Sequence, residues 1–443
     1  MSVLEGDIKK PGATGILGVA YFIHGQAGAA RRANTAVPCK SSRSSGSAFG
    51  ALLELVNMDD FMSLNESVDC LYEFRVNISL DSVDSYTYND GQSFLIIVLL
   101  PILLFLGILG NTAFIFVVYR QTEMRTVTNW YLTNLAVADI LFLLSAIVDK
   151  LWAYYLSPIP GDNGPHGHFG CIVLYLIADL TYFASLGFVT LVSFDRFLAV
   201  RRPQASKGRR GKRTPVKLCA GSWVLSLCVV ACLIPSRDMF VKYCLMWPEE
   251  DKYQGFPSHM YVCQSRQEWV DYVSNVMQTV PFFLAFALNV FLYVNIIRGL
   301  DRSIQNLGSH GMSQDKNVTM RNQIARMLVV NGVVFFCCLF PFELIALFNV
   351  IRDIQKTNFI PAEWQGLFLE ISRALSYVNS VANPLIYTLM SHRYRANFKM
   401  AFSFERCRGI VSQRGRKEND AAAANDSRSA SHRCQTATRV EIL

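Results

Sequence analysis

The chain alternates between long uncharged stretches and short clusters of charge. Phe94–Tyr119 runs 26 residues without a charge, Thr126–Val148 is apolar apart from Asp139, and Cys171–Phe194 carries only Asp179. Leu218–Pro235 and Tyr272–Ile297 are uncharged, Met327–Ile351 carries only Glu343, and Gln365–Met390 carries Glu370 and Arg373 near its start. A helix needs roughly 20 apolar residues to cross the hydrocarbon of a bilayer. Seven such stretches predict an all-α membrane protein, a seven-transmembrane helix bundle. A soluble helical core is the bland alternative, but buried core helices rarely repeat at this length.

The polar gaps give the orientation. Arg120 and Arg125 follow the first stretch, nine cationic residues crowd 196–217, and Arg298, Arg302, Lys316, Arg321 and Arg326 occupy 298–326. The alternate gaps are mixed or acidic. Cytoplasmic loops carry the excess of Lys and Arg, so the N-terminus is expected outside and the C-terminus in the cytosol. The pair Asp195–Arg196 then falls at the cytosolic interface.

Residues 1–91 are expected to form an extracellular, largely disordered segment, its first fifty rich in Gly, Ala, Ser and Arg. Ile16–Ile23 is too short to span and makes a poor signal peptide; Met58 and Met62 are alternative start points. Asn65 and Asn77 head glycosylation triplets on the side expected outside. The bundle is expected over 92–391. Residues 392–407 alternate aromatic and cationic side chains and predict an amphipathic helix on the inner leaflet, with Cys407 a candidate for palmitoylation. Residues 408–443 read as a disordered cytoplasmic tail whose serines suit kinases.

Twelve cysteines divide by compartment. Cys171 opens the third stretch, and a bridge to Cys263 would tie the long loop 236–270 over the bundle. Cys244 is a rival partner, and Cys70 could take whichever remains. Cys171–Cys263 is the pairing expected.

Composition narrows the classes further. Apolar residues make up 51% of the chain and charged residues 17%, below the roughly 25% of soluble domains. A net charge of +8 could suggest nucleic acid, but the positive charge lies between apolar runs, so no nucleic-acid partner is expected. No zinc-protease, nucleophile-elbow or Walker spacing occurs, so the chain does not read as an enzyme, and no metal cluster is expected.

A charge inside the membrane is expensive, by about 2.5–3.5 kcal/mol on insertion scales, so each one is a functional candidate. Asp139 lies mid-span and must share hydrogen bonds or a cation. Asp179, Glu343 and Arg373 lie near the outer ends of their spans, where acids and a base could pair across an outward cavity. Pro101, Pro281, Pro341 and Pro384 interrupt spans and permit kinks.

These residues together resemble rhodopsin-like G-protein-coupled receptors over about residues 92–407. The marks are Asn111 in GILGN, Asp139 in NLAVAD, Cys171, Asp195–Arg196, Trp223, Pro281, Phe335 with Cys338-Leu-Phe-Pro341, and Asn383-Pro384-Leu-Ile-Tyr387. The resemblance implies that Asp195 holds Arg196 at rest and that Arg196 is freed to meet a heterotrimeric G protein. Pro341, Asn383, Pro384 and Tyr387 belong to the same activation path. It also implies a sodium pocket at Asp139, Ser185, Asn379, Ser380 and Asn383, the sodium ion being the one candidate cofactor. Four departures stand out: Phe197 for Tyr, Leu339 for the Trp before Pro341, Asn289 for a Tyr, and Arg321 where an acid often locks Arg196.

Ala178 stands where amine receptors carry Asp, which disfavours a biogenic amine. The polar mouth and the long loop suggest a peptide. The stretch SVANPLIYTLMSHRYRANF and the position of Arg373 resemble thyrotropin-releasing-hormone receptors and invertebrate neuropeptide receptors. The resemblance implies that Arg373 meets the peptide, whereas Asp179, Phe183 and Phe342 depart from the contacts of the hormone receptor, so that hormone is not the ligand expected. The candidate ligand set is Asp179, Tyr182, Phe342, Glu343 and Arg373, in which Asp179 and Glu343 suit a basic peptide group and Arg373 a carboxylate or amide carbonyl. The expected protein is a multi-pass plasma-membrane neuropeptide receptor, with G protein, kinases, arrestin and the lipid bilayer as partners. A receptor for a non-peptide small ligand is the first alternative. A transporter is the second, disfavoured because no internal repeat is visible.

Overall fold

The computed structural model describes residues 75–403 apart from Asp81, 202–212, 310–315 and 356–361. Eight helices dominate. They are α1 (Leu100–Arg120), α2 (Val127–Leu156), α3 (Gly167–Arg201), α4 (Arg213–Ala231), α5 (Glu268–Ser309), α6 (Lys316–Gln355), α7 (Ala362–Met390) and the short α8 (His392–Phe402). The chain enters α1 through Asp90–Phe94, opened by a capping box between Asn89 and Gln92, and a five-residue π-helical stretch, Leu95–Leu99. Pro101 follows in the first turn of α1. Thr126 caps α2 by accepting from the Asn129 amide.

Among the described residues, six helices are long and apolar enough to cross a membrane: α1 to α6. Helix α7 is not among them. It carries Glu363, Glu370 and Arg373 and a stripe of Ser372, Ser376, Asn379, Ser380 and Asn383, all five buried. Its polar face turns into the bundle, where polar groups find partners that lipid cannot offer. Pro281, Pro341 and Pro384 lie inside α5, α6 and α7, as the sequence suggests.

The middle of the bundle is packed by aromatic and branched side chains. Phe282, Phe335, Phe336 and Leu339 are buried together between α5 and α6, and Phe188 meets Trp223 edge-on across α3 and α4. Several close approaches depend on glycine, two of them between neighbouring helices near Tyr293 and Ser222. A Cβ on Gly332 of α6 would fall 1.7 Å from the Tyr293 hydroxyl of α5, and one on Gly187 of α3 would fall 2.3 Å from Ser222 Oγ of α4.

One end of the bundle is roofed by a three-stranded sheet of β1 (Arg75–Asn77), β2 (Met239–Met246) and β3 (His259–Gln264), in the order β1-β2-β3. The β2–β3 pair is antiparallel and β1 joins β2 in parallel, Arg75 opposite Cys244. Alternation along the strands buries Val76 and Ile78, then Val241, Tyr243 and Leu245, then Met260 and Val262, in one apolar cluster with Tyr86. The last part of the segment expected to be disordered, residues 75–80 and 82–91, is therefore structured. Its apolar alternation finds an edge strand to pair with, and its Asn77 side chain stays exposed.

The Cys171–Cys263 disulfide fastens β3 to the first turns of α3, with Cα atoms 5.7 Å apart. Cys244 is also disulfide-bonded, so it is not the rival partner of Cys171. Asn65, Cys70, Cys407 and the tail lie outside the described residues.

Candidate functional site

Two polar constellations stand at opposite ends of the bundle, and a third lies between them. The first sits beneath the sheet. Asp179, on α3, does not meet Arg373. Arg237, in the turn after α4, donates to Asp179 Oδ2 at 2.8 Å and lays its guanidinium 4.2 Å over the Tyr175 ring. Glu343 of α6 is fully buried and accepts from the Tyr182 hydroxyl at 2.6 Å, while its Oε2 has no partner among the described residues. Phe342, its neighbour, is half-buried.

On the other side of the same end, Asp149 of α2 pairs with Lys150 and His166, each at 3.0 Å. Glu370 accepts from Gln92 Nε2 at 2.6 Å. Arg373 is half-buried and within electrostatic reach of Lys150, Glu370 and Tyr377, yet it makes no salt bridge among the described residues. The pairing across the mouth suggested by the sequence is thus replaced by local pairs. Arg237 reaches Asp179 first because it hangs directly over α3 from the adjoining turn. Nothing in the sequence around Arg237 sets it apart from other loop cations, so its role was not legible there.

The middle constellation surrounds Asp139. Asn383 donates to Asp139 Oδ2 at 2.7 Å, Ser380 bonds the same carboxylate, and Ser185 and Asn379, the latter one turn before Asn383 on α7, are buried too. Asn111 ties α1 to α7 by donating to the Ser380 carbonyl at 2.9 Å. Asn379 Oδ1 is buried without a partner. A carboxylate beside hydroxyl and amide oxygens, one of them unsatisfied, is a donor set that fits a hard monovalent cation.

The constellation at the opposite end lies where the basic gaps gather. Arg196 Nη2 donates to Asp195 Oδ2 at 2.6 Å and also to Thr128 Oγ1 of α2. Thr128 in turn donates to Asp195 Oδ2 at 2.8 Å, closing a three-membered network. Thr128 was missed by sequence reasoning, since a lone threonine near a helix start reads as a capping residue. Tyr387 packs its ring 5.2 Å from Phe114 and 5.8 Å from Tyr394. Tyr394 of α8 donates to Asn129 Oδ1, and burial pushes its phenol up to about 12. On α5, Asn289 donates to Thr190 at 2.9 Å, and one turn further Tyr293 accepts from Ser193 at 3.1 Å.

An ordered set of polar ties on seven helices, with the disulfide at one end and the Asp–Arg–Thr network at the other, is a strong structural signature. Comparison with known proteins decides what it is. Residues 110–387 match the model of the 7 transmembrane receptor (rhodopsin family).

The chain belongs to the rhodopsin family of seven-transmembrane receptors.

It is a membrane receptor and not an enzyme. Among its relatives, the rat (Rattus norvegicus) somatostatin receptor type 5 is 29% identical over 324 residues, 71% of this chain and 80% of the relative. Galanin receptor 2b of Danio rerio is 26% identical over 340 residues, 76% of this chain and 80% of the relative. Mouse (Mus musculus) somatostatin receptor type 2 is 27% identical over 301 residues, 66% and 73% of the two chains. Asp195–Arg196, Pro341 and Asn383-Pro384-Leu-Ile-Tyr387 all lie within the matched residues.

Proposed function

We infer that this protein is a plasma-membrane receptor that binds an extracellular peptide and activates a heterotrimeric G protein. The sheet end faces outside and the Arg196 end faces the cytosol, in keeping with the clustering of Arg and Lys. The relatives named for somatostatin and galanin support a peptide ligand.

The observation that carries the ligand reading is Arg373, a half-buried guanidinium at the mouth that no described carboxylate neutralises by a salt bridge. A peptide carboxylate or amide carbonyl would satisfy it. Glu343, with one oxygen unpartnered, suits a basic group of the same peptide, with Tyr182 and Phe342 beside it. Asp179 joins only by exchanging Arg237 for a ligand cation. The ligand acts by binding the active bundle more tightly than the resting one, releasing Arg196 from Asp195 and Thr128. Pro341, Pro384, Asn383 and Tyr387 carry the rearrangement. A sodium ion held by Asp139, Ser185, Asn379, Ser380 and Asn383 would favour the resting bundle. Asn65 and Asn77 carry glycans, Cys407 a palmitoyl chain, and the tail meets kinases and arrestin.

The test is a calcium and cyclic-AMP screen of the expressed receptor against a neuropeptide library, repeated with two variants. A charge-assisted contact contributes about 1.5–3 kcal/mol, so Arg373→Ala should raise the half-effective concentration about tenfold or more. Arg196→Ala should abolish signalling and leave binding largely intact. Unchanged potency in Arg373→Ala would remove the pocket from this place.

A further inference from the structure

The Arg196 end encloses a cavity of about 460 Å³, bounded by α2, α3, α4, α6, α8 and the turn before α2. Four guanidinium groups line it, those of Arg125, Arg196, Arg321 and Arg393, against one carboxylate, Asp195. Three of the four are partly committed. Arg125 donates to the Tyr119 carbonyl, Arg393 to the Glu123 carbonyl, and Arg196 to Asp195 and Thr128. Arg321 makes no hydrogen bond or ion pair among the described residues, and its Nε is buried. Arg196 Nε is buried and unpartnered among the described residues as well.

We propose that this cavity is a binding site for a phosphate-class anion, bridging Arg196 on α3 and Arg321 on α6. The wall carries a formal excess of three positive charges in a space closed on several sides, where screening is weak. An unpaired buried N–H of a charged group is costly, and the one acid present is already engaged. A phosphoryl group offers several acceptor oxygens around one centre and can meet two guanidinium groups at once, each through a fork of N–H donors. A single carboxylate would leave most of the excess charge unbalanced. Arg393 and Tyr394 of α8 are part of its wall, at the depth where the apolar runs give way to charge, so the phosphates of the inner leaflet lie within reach. The same chemistry is offered by a soluble inositol phosphate. Bound there, the anion would tie α3 to α6 in place of the acid that this chain lacks at Arg321. That last consequence rests on the receptor reading above; the binding itself does not.

The full chain, purified into neutral phosphatidylcholine nanodiscs, provides the test. One arm adds phosphatidylinositol 4,5-bisphosphate to the discs, and a second adds soluble inositol trisphosphate to neutral discs. Melting temperature is followed across a concentration series. Wild type should be stabilised saturably by the lipid, by the soluble anion or by both, and the arm that responds names the source. Arg321→Gln should need about tenfold more anion for the same shift, the loss of one charge-assisted contact. Lys399→Gln, on the exposed side of α8, should respond like wild type. Arg321→Glu supplies an acceptor from within, and it should melt no lower than wild type without anion and ignore added anion. No shift in either arm, or an undiminished response in both Arg321 variants, would overturn the site. Basal nucleotide exchange on added G protein is the second readout and should fall as anion binds. Anion binding with unchanged exchange overturns the α3–α6 tie alone. A preparation without exchange under any condition counts against the receptor reading and leaves the melting result standing.

Discussion

Arg237 holds Asp179 at 2.8 Å, binding the turn after α4 to the face of α3. Both side chains are mostly buried, at 27% and 14% exposure. Removing one partner of such a pair leaves an uncompensated charge, whereas removing both need not be costly. Arg237→Ala should therefore lower the melting temperature of the purified receptor, and Asp179→Asn added to it should recover most of the loss. Equal destabilisation by the single and double variants would show that the pair does not hold the two elements together.

Gly332 and Tyr293 make a second tie of a different kind. The absent Cβ of Gly332 leaves the space that the Tyr293 ring fills, and the ring hydroxyl accepts from Ser193 on α3. Gly332→Ala must push the ring aside and break that bond. Forcing atoms into a packed interior costs about 1–3 kcal/mol. The expected result is a lower melting temperature, mostly restored by Tyr293→Leu in the same chain. A neutral Gly332→Ala would mean that α5 and α6 are free to separate here.

How much of this was legible in advance follows the reach of each signal. The spans were visible because hydrocarbon imposes a length on every apolar run, and α7 was visible despite its charge because its motif closes at Asn383-Pro384. The disulfide partner was narrowed by compartment alone, and the fold selected Cys263. The strand at Arg75–Asn77 was not legible. Three alternating residues gain strand character only when β2 offers an edge, a tertiary fact absent from local sequence. The same holds at the mouth. The sequence could find Asp179, Glu343 and Arg373, but not that Arg237 and Tyr182 would reach the acids first.

The oxygens around Asp139 predict a cation dependence. Asp139 is 1% exposed and hydrogen-bonded to Asn383, and Asn379, one turn before Asn383 on α7, has a buried oxygen without a partner among the described residues. Sodium bound only by the folded bundle should raise its melting temperature in proportion to the logarithm of concentration above saturation. Exchange of sodium for N-methylglucamine at constant ionic strength should lower the melting temperature of wild type. Asp139→Asn should melt identically in both salts. A sodium effect that survives Asp139→Asn would move the ion elsewhere.

Tyr182 and Glu343 supply the last expectation. The Tyr182 hydroxyl is the one described donor to Glu343, whose other oxygen is buried and unsatisfied. Tyr182→Phe strips the carboxylate of its only hydrogen bond, and the cost of leaving a buried polar group unpaired is about 1–3 kcal/mol, more for a charge. Tyr182→Phe should thus destabilise the receptor, and Tyr182→Phe with Glu343→Leu should be close to wild type, since no polar group is then left stranded. Peptide potency separates structure from recognition. If Glu343 meets a basic group of the ligand, the stable double variant should still require at least tenfold more peptide. A double variant with both wild-type stability and wild-type potency would leave Glu343 a purely structural acid.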